Sequence, residues 1–333
     1  MISDESWPLL CPQCGADLGV LPLKVDVTKV DVAGDLDAVD EVIACPHCGS
    51  RYACNSDGVW DFLTPERAAF FNRFLAEYTA VRMAEGRGEL ESEDYRNYPY
   101  VPESHPLAWQ WRIRAKSYEA LRGKVLVPMA YAVNGRPLRL LDLGAGHGWL
   151  SYRLAANGHC PLAVDLSLDA RDGLGAAKHF NAFLDVPFPR VRAEFDRLPL
   201  ADSCADAVIF NASLHYSADY AVTLREALRV LARGGRIVIV DSPIYRHLAS
   251  GRQMVAERKQ GYVAKYGFAS DALDSCEFLT ENDRAAWSAE FGLSWQVITP
   301  WCGWQWALRP WRARLRRTRE PARFALWVAR VSA

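Results

Sequence analysis

The chain has almost no surplus of either charge. Its 333 residues carry 39 lysines and arginines against 40 aspartates and glutamates, a formal net charge of −1. No overall field therefore gathers nucleic acid or an anionic membrane. No uninterrupted apolar stretch approaches the length of a membrane span, so no transmembrane segment is expected. The first residues, Met1-Ile-Ser-Asp-Glu-Ser6, lack both the basic and the apolar regions of a secretory leader, and the expected location is cytoplasmic. Half of the residues are hydrophobic and 24% are charged, as in a soluble globular protein, and the length allows one large domain and a small one.

Cysteine is plentiful, but a disulfide pattern is missing. Four of the nine cysteines form two short knuckles, Cys11-Pro-Gln-Cys14-Gly and Cys45-Pro-His-Cys48-Gly, and Cys54, Cys160, Cys204, Cys276 and Cys302 are scattered. That usage fits a reducing compartment and a metal site. Each knuckle holds two thiolates on a tight turn with glycine after it, and two knuckles supply the four sulfurs of a tetrahedral Zn²⁺. With Cys11, Cys14, Cys45 and Cys48 filling the coordination sphere, no position is left for water, and the zinc is expected to be structural. A redox pair or coincidental spacing is the alternative. His47 and Cys54 read as bystanders. Between the knuckles, the alternating Val25-Asp-Val-Thr-Lys-Val30 suggests a hairpin with a polar tip, and Asp57-Gly58 marks a second hairpin turn. Residues 1–63 thus read as a zinc-ribbon module, too small to fold comfortably without its metal.

Thr64-Pro65 is a helix start, with threonine as N-cap and proline at the first helical position. Phe70, Phe71, Phe74, Leu75, Tyr78 and Val81 recur at helical spacing, a stripe read first as packing. Gly86-Arg-Gly88 ends that helix, a polar connector runs from Glu89 to Pro106, and a second helix covers Leu107–Leu121. Residues 64–121 are expected to form a helical lid and connector, with Arg82 or Arg87 near a ligand carboxylate or simply at the surface.

From residue 122 to 333 the chain alternates strand and helix. Leu138–Leu143 is an apolar strand that runs into Gly144-Ala-Gly-His-Gly148 and then a helix, Trp149–Ala156. Three alternate glycines let the backbone turn sharply and let a ligand approach it closely. A strand Leu162–Leu166, a helix Leu168–Phe183, strands Arg190–Phe195 and Ala205–Asn211, a helix Ala221–Leu231 closed by Gly234-Gly235, and a strand Arg236–Val240 follow. This order implies a parallel sheet with helices on both faces and a ligand at the carboxyl ends of its strands. An insertion spans about 244–280, with a helix over Leu248–Tyr266. Near the end come strands Ser294–Thr299 and Phe324–Val331, the last expected antiparallel beside the fifth. Between them Arg309, Arg312, Arg314, Arg316, Arg317 and Arg319 lie among Trp304, Trp306 and Trp311. They read as a helix packing its tryptophans on the sheet, or as a surface for RNA or an anionic membrane.

From Leu138 to Asp241 the chain resembles the class I S-adenosylmethionine-dependent methyltransferases. Leu140-Leu-Asp-Leu-Gly-Ala-Gly-His-Gly148 resembles their first motif, and Val164-Asp165 their acid after strand two. Glu194-Phe-Asp-Arg-Leu-Pro-Leu200 with Cys204-Ala-Asp-Ala-Val208 resembles their next segment, and Arg229-Val-Leu-Ala-Arg-Gly-Gly235 their glycine turn before strand five. The resemblance implies a Rossmann-like α/β fold, a seven-stranded, mostly parallel sheet with an antiparallel last strand, behind the β zinc ribbon. It implies S-adenosylmethionine held by Asp142, Gly144, Ala145, Gly146, Gly148, Asp165, Leu166, Glu194, Phe195 and Asn211. Asp142 would meet the ammonium group, Asp165 the ribose hydroxyls, and Glu194 with the Phe195 N–H the adenine. Capping or turn formation is the alternative for Asp142 and Asp165. Glu194 stands where aspartate is commoner, and Phe195 where a small residue is usual. The glycine spacing departs from the Gly-x-Gly-x-x-Gly of nicotinamide dehydrogenases.

His215 and Tyr216, after strand four, are the catalytic candidates, His215 as a base; shaping the pocket is their alternative role. The expected reaction is methyl transfer to a small-molecule or lipid-like acceptor. An RNA base methyltransferase using the ribbon for recognition is the first rival. Neutral charge and the absence of Asn-Pro-Pro-Tyr speak against it. A non-catalytic cofactor-binding protein is the second. The oligomeric state is not legible.

Overall fold

The computed structural model describes residues 6–22, 41–87 and 90–331. The hairpin expected over Val25–Val30 lies outside the described residues, as does Gly88. The first knuckle turns between strands β1 (Pro8–Leu10) and β2 (Asp17–Val20), and the second between β3 (Val42–Ala44) and β4 (Arg51–Cys54), which the Asp57-Gly58 turn joins to β5 (Val59–Asp61). Helix α1 (Pro65–Ala84) starts as expected: the Thr64 hydroxyl accepts from the Arg67 N–H at 3.3 Å. The connector contains a short helix, α2 (Ser92–Asn97).

Helix α3 (Ala108–Leu121) runs on through one wide turn, Arg122–Leu126, into α4 (Val127–Ala132). Pro128 lacks the N–H that a regular helix would place there, and the wide turn absorbs the mismatch. Then come β6 (Arg139–Leu143), α5 (Trp149–Ala156), β7 (Cys160–Asp165), β8 (Arg190–Arg192), β9 (Ala205–Asn211), α6 (Tyr220–Val230) and β10 (Leu231–Val240). The insertion holds β11 (Ile244–Tyr245), α7 (Leu248–Tyr266) and β12 (Leu279–Thr280). Helix α8 (Glu281–Phe291), β13 (Leu293–Ile298), α9 (Trp304–Ala307), α10 (Arg309–Leu315) and β14 (Leu326–Val331) complete the chain.

Seven strands form the expected sheet, in the order β13-β14-β10-β9-β6-β7-β8, and β14 lies antiparallel between β10 and β13. All seven residues of β9 are buried, which fits a central strand covered on both faces. The sheet does not stop at β8, however. Strand β5 pairs with β8 in parallel, Val59 opposite Arg190 and Asp61 opposite Arg192, and β4 and β3 follow, making ten strands. The ribbon is therefore fused to the sheet edge. Trp7, Leu9, Tyr52, Trp60 and Phe62 are buried in one core with Leu141, Val164 and Val191. Covering β8 pairs an edge that would otherwise stand open.

Three local expectations are corrected. No α-helix covers 168–183; a tight turn is followed by a 3₁₀ helix, Leu174–Phe183. The Asp169 carboxylate accepts from the N–H groups of Arg171 and Asp172, which diverts donors that an α-helix would use. Gly234-Gly235 does not close α6. That helix ends at Val230, and the glycines lie in an irregularity of β10, where a Cβ at Gly235 would meet Asp206 O at 2.8 Å. The tryptophans of 301–319 do not pack on the sheet. Trp301, Trp304 and Trp311 are 58, 75 and 79% exposed, because α9 and α10 are short helices set over the rim of a cavity rather than against the strands.

Candidate active site

The glycine turn is built as its sequence demands. Gly144 has φ +74°, and a Cβ there would come within 2.3 Å of the Ser213 Cβ, so strand tips β6 and β9 can approach only over glycine. The N–H groups of Gly144 and Ala145 donate to Val164 O at 2.8 and 3.0 Å, tying the turn to β7. The Gly146 N–H donates to Asp165 Oδ2 and the Ser167 N–H to Oδ1, both at 2.8 Å. Each Asp165 oxygen keeps a lone pair for a further donor. Burial raises the pKa of Asp165, and these N–H bonds pull it back. Asp142 lies beneath the turn, fully buried. Its Oδ2 accepts from Ser151 Oγ at 2.8 Å, its Oδ1 has no partner, and burial pushes its pKa up to about 7.

A cavity of about 890 Å³ opens at the carboxyl ends of these strands, near the top of the roughly 300–1,000 Å³ range of small-molecule sites. It brings together Gly144, Ala145, Gly146, Asp165 and Leu166 with Glu194, Phe195 and Asn211; Asp142 and Gly148 are not on its wall. His215 and Tyr216 also face it, and Tyr216 meets Phe74 and Tyr78 of α1 at ring distances of 6.1 and 6.0 Å. The stripe on α1 is thus a cavity wall. Beyond the nucleotide-like end the lining turns apolar, with Phe74, Tyr78, Ile113, Met254, Tyr262 and Leu273. Ala212 and Asp241, at the tips of β9 and β10, both adopt left-handed backbone conformations, φ +56° and +53°, a local strain of a kind found at functional sites.

Charge in the cavity is arranged differently from the sequence expectation. Glu194 is held by Arg67 of α1 through two hydrogen bonds of 2.8 and 2.5 Å, so both of its oxygens already have a partner. Arg82 is locked against Asp172 and stacks over Tyr78, and Arg87 bonds Glu85 and Gln110, so neither lid arginine is free. Arg114 of α3 lines the cavity without a hydrogen-bond partner among the described residues, and lies over the Trp111 ring at 5.0 Å. Burial lowers its pKa to about 10, which leaves it charged at neutral pH. Two oxygens at the cavity wait for donors: Asn211 Oδ1 and Asp241 Oδ2 are buried and unpartnered, while Asp241 Oδ1 accepts from Ser117 Oγ at 2.5 Å. Burial pushes His215 down to about 3, and its Nδ1 lies 3.3 Å from Ser242 Oγ. Arg67, Arg114 and Asp241 were missed by sequence reasoning. The only signal was the helical register of Arg114 beside Trp111.

The four knuckle sulfurs lie within 4.8 Å of one another, with Cys11–Cys48 and Cys14–Cys45 separations of 3.6 Å. A tetrahedral ion with sulfur at about 2.3 Å sets its ligands a little under 4 Å apart, so the cluster fits. Tyr52 Oη reaches Cys11 Sγ at 3.0 Å and Ser50 Oγ reaches Cys48 Sγ at 3.2 Å, second partners of the kind that orient metal ligands.

The family model described as a methyltransferase domain matches residues 141–239. The demethylmenaquinone methyltransferase of Corynebacterium urealyticum is 32% identical over 172 residues, which cover 50% of this chain and 70% of the relative. The chain belongs to the S-adenosylmethionine-dependent methyltransferases. The demethylmenaquinone methyltransferase of Mycobacterium marinum is 27% identical over 175 residues, covering 48% of this chain and 71% of that one. The malonyl-[acyl-carrier protein] O-methyltransferase of Erwinia pyrifoliae is 34% identical over 110 residues, which span 33% of this chain and 39% of that enzyme. The cavity of this methyltransferase fits S-adenosylmethionine on its own terms. The glycine cradle excludes a side chain, Asp165 offers two acceptors, and unpartnered oxygens of Asn211 and Asp241 line the same cavity as the guanidinium of Arg114.

Proposed function

We propose that this methyltransferase acts on a small, apolar, lipid-like acceptor seated between α1 and α7. The observation that carries the reading is the cavity half walled by Phe74, Tyr78, Tyr216, Met254, Tyr262 and Leu273, a lining suited to a hydrocarbon body. The acceptors named for the relatives, demethylmenaquinone and a malonyl group on acyl-carrier protein, support it. When bound, the cofactor supplies a methyl group on a positively charged sulfur. Gly144–Gly146 would let its methionine half approach the backbone and Asp165 would hold its ribose, with Leu166, Phe195 and Glu194 around the base. Asn211 and Asp241 would meet its ammonium group and Arg114 its carboxylate. His215 and Tyr216 position the acceptor, and the aromatic wall excludes water. Burial holds His215 neutral at pH 7 and makes it a weak base.

Cys11, Cys14, Cys45 and Cys48 hold a structural Zn²⁺, supported by the sulfur spacing. Residues 1–63, 64–121 and 122–333 act as ribbon, lid and catalytic unit. No helix among the described residues is long and apolar enough to cross a membrane. The paired knuckles and otherwise scattered cysteines support a cytoplasmic setting. The test is to incubate the protein with methyl-labelled S-adenosylmethionine and either a total lipid extract or total RNA. Label is expected in the organic phase. Label confined to RNA would replace this reading with base methylation.

A further inference from the structure

The rim of the cavity carries a surface that methyl transfer does not need. Helices α9 and α10 run almost continuously, since the N–H of Leu308 donates to Trp304 O at 3.0 Å and that of Arg312 to Leu308 O at 3.0 Å. Trp304, Leu308, Trp311 and Leu315 fall four, three and four residues apart, one stripe of a helix. That stripe faces outward: the four are 75, 44, 79 and 86% exposed. Arginines flank it. Arg309, Arg312, Arg314, Arg316 and Arg317 have no carboxylate partner among the described residues, and Arg319 alone of this group is paired, with Glu257. In a chain of net charge −1, positive charge is thus concentrated on one short helical segment.

We infer that this helical segment docks the enzyme on an anionic phospholipid bilayer, beside the rim of the cavity. An amphipathic helix with tryptophan and leucine on one side and arginine on the other binds in the interface plane, its apolar face among the acyl chains and its cations at the phosphates. Exposed leucines distinguish this surface from a nucleic-acid platform, where bases stack on aromatic rings and aliphatic side chains add little. A hollow of about 430 Å³ beside the stripe is lined by Arg309, Arg312, Arg316, Arg319 and Tyr245, a seat for a headgroup phosphate. Trp306 and Arg309, on the face of the same helical segment turned away from the stripe, wall the large cavity, and Trp306 meets Trp109 of α3 at 6.0 Å. One face of the segment thus borders the cavity while the stripe points outward beside it.

The docking stands apart from the acceptor reading, because vesicle binding is measured without methyl transfer. Full-length, zinc-loaded protein is sedimented with vesicles of phosphatidylcholine, with or without phosphatidylglycerol. Retention is expected on the anionic vesicles alone and is expected to fall with salt. Trp304→Ser with Trp311→Ser, and separately Arg312→Glu with Arg316→Glu, should each cut it by at least about tenfold. The melting temperature and the calorimetric affinity for S-adenosylhomocysteine should stay at wild-type values. No retention on any vesicle overturns the inference, as does equal retention of wild type and both variants. A shift of single-stranded RNA that both variants abolish, with no vesicle retention, overturns it in favour of RNA.

Discussion

Arg114 and His215 show how the cavity changes the chemistry of single side chains. Arg114 faces the cavity unbonded while Arg82 and Arg67 are spent on Asp172 and Glu194. Arg114→Met should weaken S-adenosylmethionine binding by about 10- to 100-fold, the worth of a charged hydrogen bond, as read by calorimetry. Leaving affinity unchanged, it would hand the carboxylate to another group. His215 is pushed to about 3 and His147 to about 4, both mainly by burial. The unfolded chain takes up protons on these rings near pH 6.5 and the folded one does not, so stability falls as pH drops from about 6.5 toward 4. Asp142, raised to about 7, acts in the opposite sense, since its folded form holds a proton that the unfolded form loses. Asp165 and Asp241, also raised by burial, act in the same sense as Asp142, so the histidine contribution is read as a difference between wild type and variant. His147→Asn with His215→Gln should make the melting temperature less sensitive to acid than wild type between pH 6.5 and 4.5, and a variant slope matching wild type would show these rings to be protonated in the fold.

At the scale of elements, α1 is both wall and clasp. It contributes Phe74 and Tyr78 to the cavity and is fastened at each end by an arginine, Arg67 to Glu194 and Arg82 to Asp172. The second pair is nearly buried, so removing one partner strands a charge. Arg82→Met should cost about 3–5 kcal/mol in chemical denaturation, whereas a loss under about 1 kcal/mol would mean that water reaches Asp172. The ribbon is an element of the same kind, an extension of the sheet beyond β8. Chelation of the Zn²⁺ proposed for its four cysteines should therefore lower the melting temperature of the whole chain in one transition, followed by calorimetry. Two separated transitions would mean that the ribbon melts by itself.

At the scale of the whole molecule, a ten-stranded sheet and one of two hydrophobic cores run through both the N-terminal strands and the later part of the chain. Trp7, Trp60 and Phe62 of the ribbon are buried with Leu141 and Val164 of the catalytic unit, and Arg192 pairs with Asp61 across the junction at 2.9 Å. A chain beginning at Thr64 would expose the β8 edge and the apolar surface that Trp60 covers. It should be recovered as aggregate, measured as the soluble fraction after expression, and a monodisperse, cofactor-binding product would show the ribbon to be dispensable.

The sequence by itself determined what short stretches of chain can carry: the glycine turn after β6, the two knuckles, the Thr64 cap, and the alternation that makes a parallel sheet. Each is fixed by backbone sterics or side-chain periodicity within a few residues. Only the tertiary structure decided which charges meet. Glu194 lies 127 residues from Arg67, and Asp172 lies 90 from Arg82, so no spacing rule could pair them. It also decided that the ribbon joins the sheet, that the α1 stripe walls a cavity, and that Trp301, Trp304 and Trp311 stay exposed. Helical spacing defines a face of a helix, but what that face meets depends on where the rest of the chain places it.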